Sequence, residues 1–154
     1  MPIMFNTILK AAGFDLADVR LLRHKDSRAV KGRTPYELWR DKRPLFDVYQ
    51  ATQGVANHAK LNATFWGSFV GTPNDETLFV GVYSVVKWRL MDRDTPMPHM
   101  DGVDKAGSCH LYDLTLQEKL RDLIGRLVIN WGPGDCAWIQ RTRPAEQMRA
   151  GVTD

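Results

Sequence analysis

Two runs of β-branched and aromatic residues, 64–70 and 77–86, flank the turn-forming segment Gly71-Thr72-Pro73-Asn74-Asp75-Glu76. That pattern predicts a β-hairpin with a six-residue turn. In the second run both alternating faces are mostly apolar, Leu78, Val80 and Val82 on one and Phe79, Tyr83 and Val85 on the other. A strand that is apolar on both faces must be covered on both sides, so 77–86 is expected to be a central strand. Gly67 and Gly81 lie inside these strands, where a missing side chain weakens the sheet. A β-bulge is the first explanation for them, and the close approach of a planar ligand is the second.

The remaining elements can be arranged around that strand. Asn6 or Thr7 can cap a short helix carrying Ile8, Leu9, Ala11 and Ala12, with Gly13 as its stop. The alternation of Val19–His24 predicts a strand, and 25–33 has no period and reads as a loop. Thr34-Pro35-Tyr36-Glu37 is a capping box with proline at the first helical position. Its helix is expected to run to about Arg43, be interrupted at Pro44 and resume to about Thr52. Further on, 92–107 is a long Pro-, Asp- and Gly-rich loop, and 110–114 reads as a third strand. Thr115-Leu116-Gln117-Glu118 reads as a second capping box, for a helix with Leu116, Leu120, Leu123 and Ile124 on one face and Gly125 at its end. A second hairpin, 126–131 with 136–141, turns at Gly132-Pro133-Gly134-Asp135. The expected class is α+β: a curled antiparallel sheet of five or six strands, or a small barrel, with flanking helices. One domain, 1–154, would hold a basic helical part (about 1–60), a β-rich body (about 61–142) and a polar tail (143–154).

Few kinds of chemistry fit the residues. No run approaches the roughly 18 apolar residues of a membrane span. Residues 1–7 show no basic stretch followed by a long apolar one, and two cysteines, Cys109 and Cys136, are no disulfide framework. A cytoplasmic protein is therefore expected. The four histidines and two cysteines contain no close ligand pair of the kind zinc sites use, and the adjacent Cys109 and His110 would point to opposite faces of a strand. No metal or other cofactor is expected. Neither a nucleophile elbow nor a phosphate-binding glycine loop occurs, and a Cys136–His110 pair has no supporting spacing. Asp92, Asp94, Asp101 and Asp104 match no calcium-loop order and read as a solvated loop.

Charge and aromaticity are left. From Arg20 to Arg43 nine Lys or Arg stand against three acids (Asp26, Glu37, Asp41), whereas the whole chain carries only +3. Such a block on a nearly neutral body suits a polyanionic partner. Arg20, Arg23, Lys25, Arg28, Lys31, Arg33, Arg40 and Arg43 are the candidate phosphate contacts. The chain also has five tryptophans, four tyrosines and six phenylalanines, most of them needed for the core. Unstacked bases are held by aromatic stacking and hydrogen bonds to their edges. Trp66 with Ser68 on its face, Tyr83, Trp88 and Trp131 are candidates for the aromatic wall of such a base pocket. Asp113, or Asn62 or Asn130, would take the base edge.

The order Leu21-Leu22-Arg23-His24, Phe46-Asp47-Val48-Tyr49-Gln50-Ala51-Thr52-Gln53, Phe65-Trp66-Gly67-Ser68-Phe69-Val70-Gly71 and Leu78-Phe79-Val80-Gly81-Val82-Tyr83 resembles an N-terminal domain of bacterial GIY-YIG nuclease proteins. Gly125-Arg126-Leu127-Val128-Ile129-Asn130-Trp131 is similar as well. The resemblance implies a nucleic-acid-targeting module that works beside a nuclease domain or partner chain, with DNA the expected target, in restriction, defence or repair. It also implies a fold like the EVE- or ASCH-type barrels of the PUA superfamily, which include readers of modified bases. Gly81-Val82-Tyr83 resembles the first half of the nuclease motif, but no Tyr-Ile-Gly follows, so catalysis would lie elsewhere.

The leading expectation is thus a DNA-binding reader of modified bases with no catalytic residues of its own. Two alternatives stand beside it. One is a small hydrolytic enzyme with the 92–110 loop as lid and His99 or His110 as general base. The other is a protein-interaction domain presenting its tryptophans.

Overall fold

The computed structural model describes residues 3–91, 109–132 and 137–143. Expectations for the 92–107 loop, the turn at 133–135, Cys136, His99 and the tail beyond 143 fall outside those residues.

The fold is α+β, with helices flanking one mixed sheet that does not close into a barrel. The helices are α1 (Phe5–Ala11), α2 (Pro35–Asp41), α3 (Arg43–Ala51) and the single turn α4 (His58–Leu61). The strands are β1 (Val19–His24), β2 (Thr52–Gly54), β3 (Phe65–Gly71), β4 (Thr77–Leu90), β5 (Cys109–Leu116), β6 (Leu127–Trp131) and β7 (Ala137–Thr142). They run in the order β1-β3-β4-β5-β2, and β6 joins β4 to β7.

Local chemistry sets most of the boundaries. Thr34 Oγ1 accepts from the Glu37 N–H (3.2 Å) and Glu37 Oε1 accepts from the Thr34 N–H (3.0 Å), so the capping box starts α2. Gly13, at φ +90°, ends α1: its N–H donates to the Lys10 carbonyl, and that of Phe14 to the Leu9 carbonyl. This pair of bonds is a Schellman motif, which a residue without a Cβ closes at least cost.

β4 is the central strand, with both faces buried from Leu78 to Tyr83. It pairs with β3 over Thr77–Ser84, with β6 at Thr77 and Leu78, and with β5 over Tyr83–Leu90. The main core, including Phe5, Trp39, Phe46, Phe69, Phe79 and Leu127, lies around its first half. Phe5, Phe69 and Phe79 form a ring cluster with centroids 5.1–5.6 Å apart. Gly81 occupies the bulge: Ser68 pairs with Gly81 but Phe69 with Phe79, leaving Val80 as the extra residue. A Cβ on Gly81, whose φ is +133°, would stand 2.6 Å from Leu116 Cδ1.

Two expectations are corrected, and one strand is new. The sheet is mixed, because β1 runs parallel to β3. The segment between them contains α2, α3 and α4, and a parallel pair needs such a long crossover. The helix expected at 115–125 does not form. Thr115 and Leu116 pair with Ser84 and Tyr83, and the Gln117 N–H donates to the Val82 carbonyl at 2.8 Å. Leu120 is left-handed (φ +65°) and only a 3₁₀ turn, Arg121–Leu123, follows. Leu116, Leu120, Leu123 and Ile124 still pack on the core, so their apolar spacing is satisfied without a helix. The three-residue strand β2, paired with β5, was not anticipated.

Replacing Gly81 with alanine is expected to lower stability by about 2 kcal/mol, through a forbidden backbone region and the clash with Leu116. Thr34→Ala is expected to cost about 1 kcal/mol. Urea unfolding of each variant checks both.

Candidate functional site

A cavity of about 630 Å³ lies between α3 and the β4–β5 ladder. From α3 it receives Arg43, Asp47 and Gln50, which at i, i+4 and i+7 form one stripe of the helix. From β4 it receives Tyr83, Lys87, Trp88 and Arg89, and from β5 Tyr112 and Asp113.

A second bulge builds the aromatic wall. Val85 pairs with Leu114 and Lys87 with Asp113, so Val86 is the extra residue on β4. Tyr83 and Trp88 are an odd number of positions apart, and an unbroken strand would point them to opposite faces. Their partners, Leu116 and Tyr112, are an even number apart on β5. The bulge therefore brings both rings to the same face.

Burial sets the electrostatics of the site. Tyr83 is pushed up to about 12, chiefly by burial and then by the Asp47 charge, with Arg43 and Gln50 opposing. Its hydroxyl donates to the Val80 carbonyl at 3.5 Å. Burial raises the Asp47 carboxyl above its usual range, and Arg43 partly offsets this. Arg43 is held in place: its Nε–H donates to the Trp39 carbonyl at 2.8 Å, and its guanidinium lies 4.8 Å from the Trp39 ring centroid. Behind the cavity, His24 Nε2 lies 3.0 Å from Gln50 Oε1, with the ring N–H donating. The His24 ring packs against Phe46 and Tyr49. Gln50 is fully buried, and its Nε2 has no hydrogen-bond partner among the described residues.

The structure brings together four of the residues singled out from sequence: Tyr83, Trp88, Asp113 and Arg43. Trp66 is not one of the cavity residues. It is fully buried in a second core cluster with Leu61 and Tyr112, and its Nε1–H donates to the Leu61 carbonyl at 2.8 Å. Its ring packs among core side chains and does not form part of the cavity wall. Ser68 beside it is also fully buried, and its Oγ has no hydrogen-bond partner among the described residues. Trp131 packs edge-on against Phe69, with the Arg23 guanidinium 5.2 Å above its ring, and does not border the cavity either.

The basic block is divided among several structural tasks. Arg20 Nε–H donates to the Lys60 carbonyl, and Arg40 binds both carboxylate oxygens of Asp41. Arg28 bonds the Gly32 carbonyl. Lys31 (φ +50°) and Gly32 (φ +78°) turn the chain, and the turn is closed by the Arg33 N–H to the Val30 carbonyl at 2.9 Å. Val30 is fully buried, so this turn is anchored and carries Lys25 and Lys31 on the surface.

Sequence reading missed Asp47, Gln50, Lys87, Arg89 and Tyr112. The stripe 43, 47, 50 was a usable signal for the first two. Nothing local marked the others, which the sheet register brings in.

His24 supplies a pH test. Burial lowers it from 6.5 to about 4, with the Gln50 bond opposing. As pH falls, the unfolded chain therefore takes up this proton before the folded one does. Its contribution is fully present above pH 6.5 and is lost as pH falls toward about 4, for a total of about 3 kcal/mol. Urea unfolding at pH 7.5 and pH 4.5 should show the loss, and His24→Gln should reduce it.

No family model, no curated protein and no solved structure matches the chain, and none of these comparisons links it to GIY-YIG or PUA-superfamily proteins. The cavity itself is therefore the ground on which a function can be argued.

Proposed function

We propose that the chain binds nucleic acid, DNA in the first instance, by taking one unstacked base into the α3–β4–β5 cavity. On this reading it reads modified bases for a separate nuclease module. The supporting observation is that aromatic rings, carboxylates and cations border one cavity. Its volume of about 630 Å³ falls in the range of small-ligand pockets, roughly 300–1,000 Å³.

Each group has a role. Trp88, 44% exposed, offers a ring face to a base, and stacking of this kind contributes about 1–3 kcal/mol. Tyr83 and Tyr112 line the same space. Asp47 and Gln50 of α3 present polar groups to the base edge, while Asp113, which pairs with Lys87 and so lies on the opposite face of the ladder from Trp88 and Tyr112, borders the rim. Lys87, Arg89 and Arg43 draw in the phosphates, and Lys25 and Lys31 on the anchored turn extend the basic surface.

Titration of single-stranded and duplex oligonucleotides, plain and base-modified, at several salt concentrations tests this. Trp88→Ala is expected to weaken binding about 5- to 100-fold. Lys87→Ala is expected to flatten the salt dependence by about one unit of slope. Asp47→Asn is expected to change which base is preferred. Binding that ignores salt, or that is indifferent to Trp88, would contradict the reading.

Val86 (63% exposed), Trp88 and Leu90 (52%) favour a second reading, a protein-binding surface at the end of β4. A Trp88→Ala change that altered sedimentation and left oligonucleotide binding untouched would support it.

A further inference from the structure

Two cavity residues also belong to a second cluster. Trp88 and Tyr112 border the cavity, and both contact His58 of α4 and His110 of β5. His58 Nδ1 lies 2.7 Å from Tyr112 Oη. Its ring centroid is 4.1 Å from that of Trp88 and 4.7 Å from that of His110. Neither histidine borders the cavity.

The two imidazoles are not equivalent. His110 Nδ1 is buried and has no hydrogen-bond partner among the described residues. Protonating that nitrogen would bury an unanswered N–H, which costs free energy. His58 Nδ1 faces a hydroxyl oxygen that can accept an N–H. A second proton on the pair would be opposed by the first across 4.7 Å. Burial and the neighbouring His58 charge act in the same sense, lowering His110 below the usual imidazole range.

We infer that His58 is a positioning residue for the cavity: it takes the pair's single proton and thereby strengthens the cavity's hold on an anionic ligand. This rests on the nucleic-acid reading above. In the neutral state the Tyr112 hydroxyl can donate to Nδ1. After protonation the bond reverses, and Nδ1–H donates to Tyr112 Oη. The imidazolium then lies against Trp88 within cation–π range, one side chain behind the wall that the ligand meets. The charged neighbours on the same elements are Lys60 on α4, with Arg20 bonded to its carbonyl, Lys87 and Arg89 on β4, and Asp113 opposite Lys87 on β5. Histidine is the side-chain type whose ordinary charge change falls between pH 5 and 8; burial also shifts Asp47 of α3, beside Arg43, toward this range, and an Asp47→Asn variant in the same background separates its contribution from that of the pair.

The test uses the full chain in a His99→Gln background. His24, lowered to about 4, stays neutral above pH 5.5. Calorimetric titration with hexathymidylate lacking terminal phosphates, at constant ionic strength, keeps the ligand charge fixed. Binding is expected to be about 3- to 10-fold tighter at pH 5.5 than at pH 8. His58→Gln, which keeps an amide beside Tyr112, should abolish that dependence, and His110→Gln should retain it. Nitrogen NMR of the imidazoles without ligand should show His58 protonating and His110 remaining neutral. A pH dependence unchanged in His58→Gln, or His110 protonating first, overturns the inference. If neither hexathymidylate nor any of the plain and base-modified oligonucleotides above binds at any pH, the nucleic-acid reading fails, and the NMR titration still decides where the proton goes.

Discussion

β4 must satisfy backbone hydrogen bonds along 14 residues while its neighbours change. It begins between β3 and β6 and ends beside β5, and two bulges accommodate the change. The first bulge is possible because Gly81 adopts a conformation that side chains rarely allow, pressed against Leu116. The second reverses the alternation of the strand at Val86 and brings Tyr83 and Trp88 to one face. One strand thus carries both the buried core and the aromatic wall of the cavity. A strand of regular pleat would separate those rings.

The polar groups around the cavity follow from the same burial. α3 packs closely enough to bury Phe46 and Gln50, and this leaves Arg43, Asp47 and Gln50 along the cavity side. Low access to water raises Asp47 and Tyr83, so both favour their protonated forms more than exposed groups would. His24 is kept neutral by the same cause and is answered by Gln50. The wall therefore mixes partly desolvated polar groups with cations, which suits a ligand with a polar, planar part and an anionic part.

Much of the fold was legible in the sequence where the signal was local. The capping box at Thr34, the stop at Gly13, the alternation of Val19–His24 and the doubly apolar central strand each depend on neighbouring residues. The segment at 115–125 carried a local signal that tertiary pairing overrode, because Thr115 and Leu116 extend β5 along β4. The candidate site was legible only in part. Residue types pointed to Tyr83, Trp88, Asp113 and Arg43, but also to Trp66, and composition cannot separate an indole in a core from one in a wall. The position of Trp66 is decided by its bond to Leu61 and by its packing on Tyr112. The ring cluster of His58, Trp88, His110 and Tyr112 joins segments far apart in the chain, and no spacing rule announces it.

The central claim is that a base enters the cavity and stacks on Trp88. The indole N–H signals of the tryptophans give a direct measurement, with each assigned by a Trp→Phe variant and followed by NMR during titration with a short single-stranded oligonucleotide. The account predicts that the Trp88 signal moves first and furthest, while that of Trp66, bonded to the Leu61 carbonyl, stays in place. Shifts confined to the 25–33 turn, with Trp88 unmoved, would contradict it.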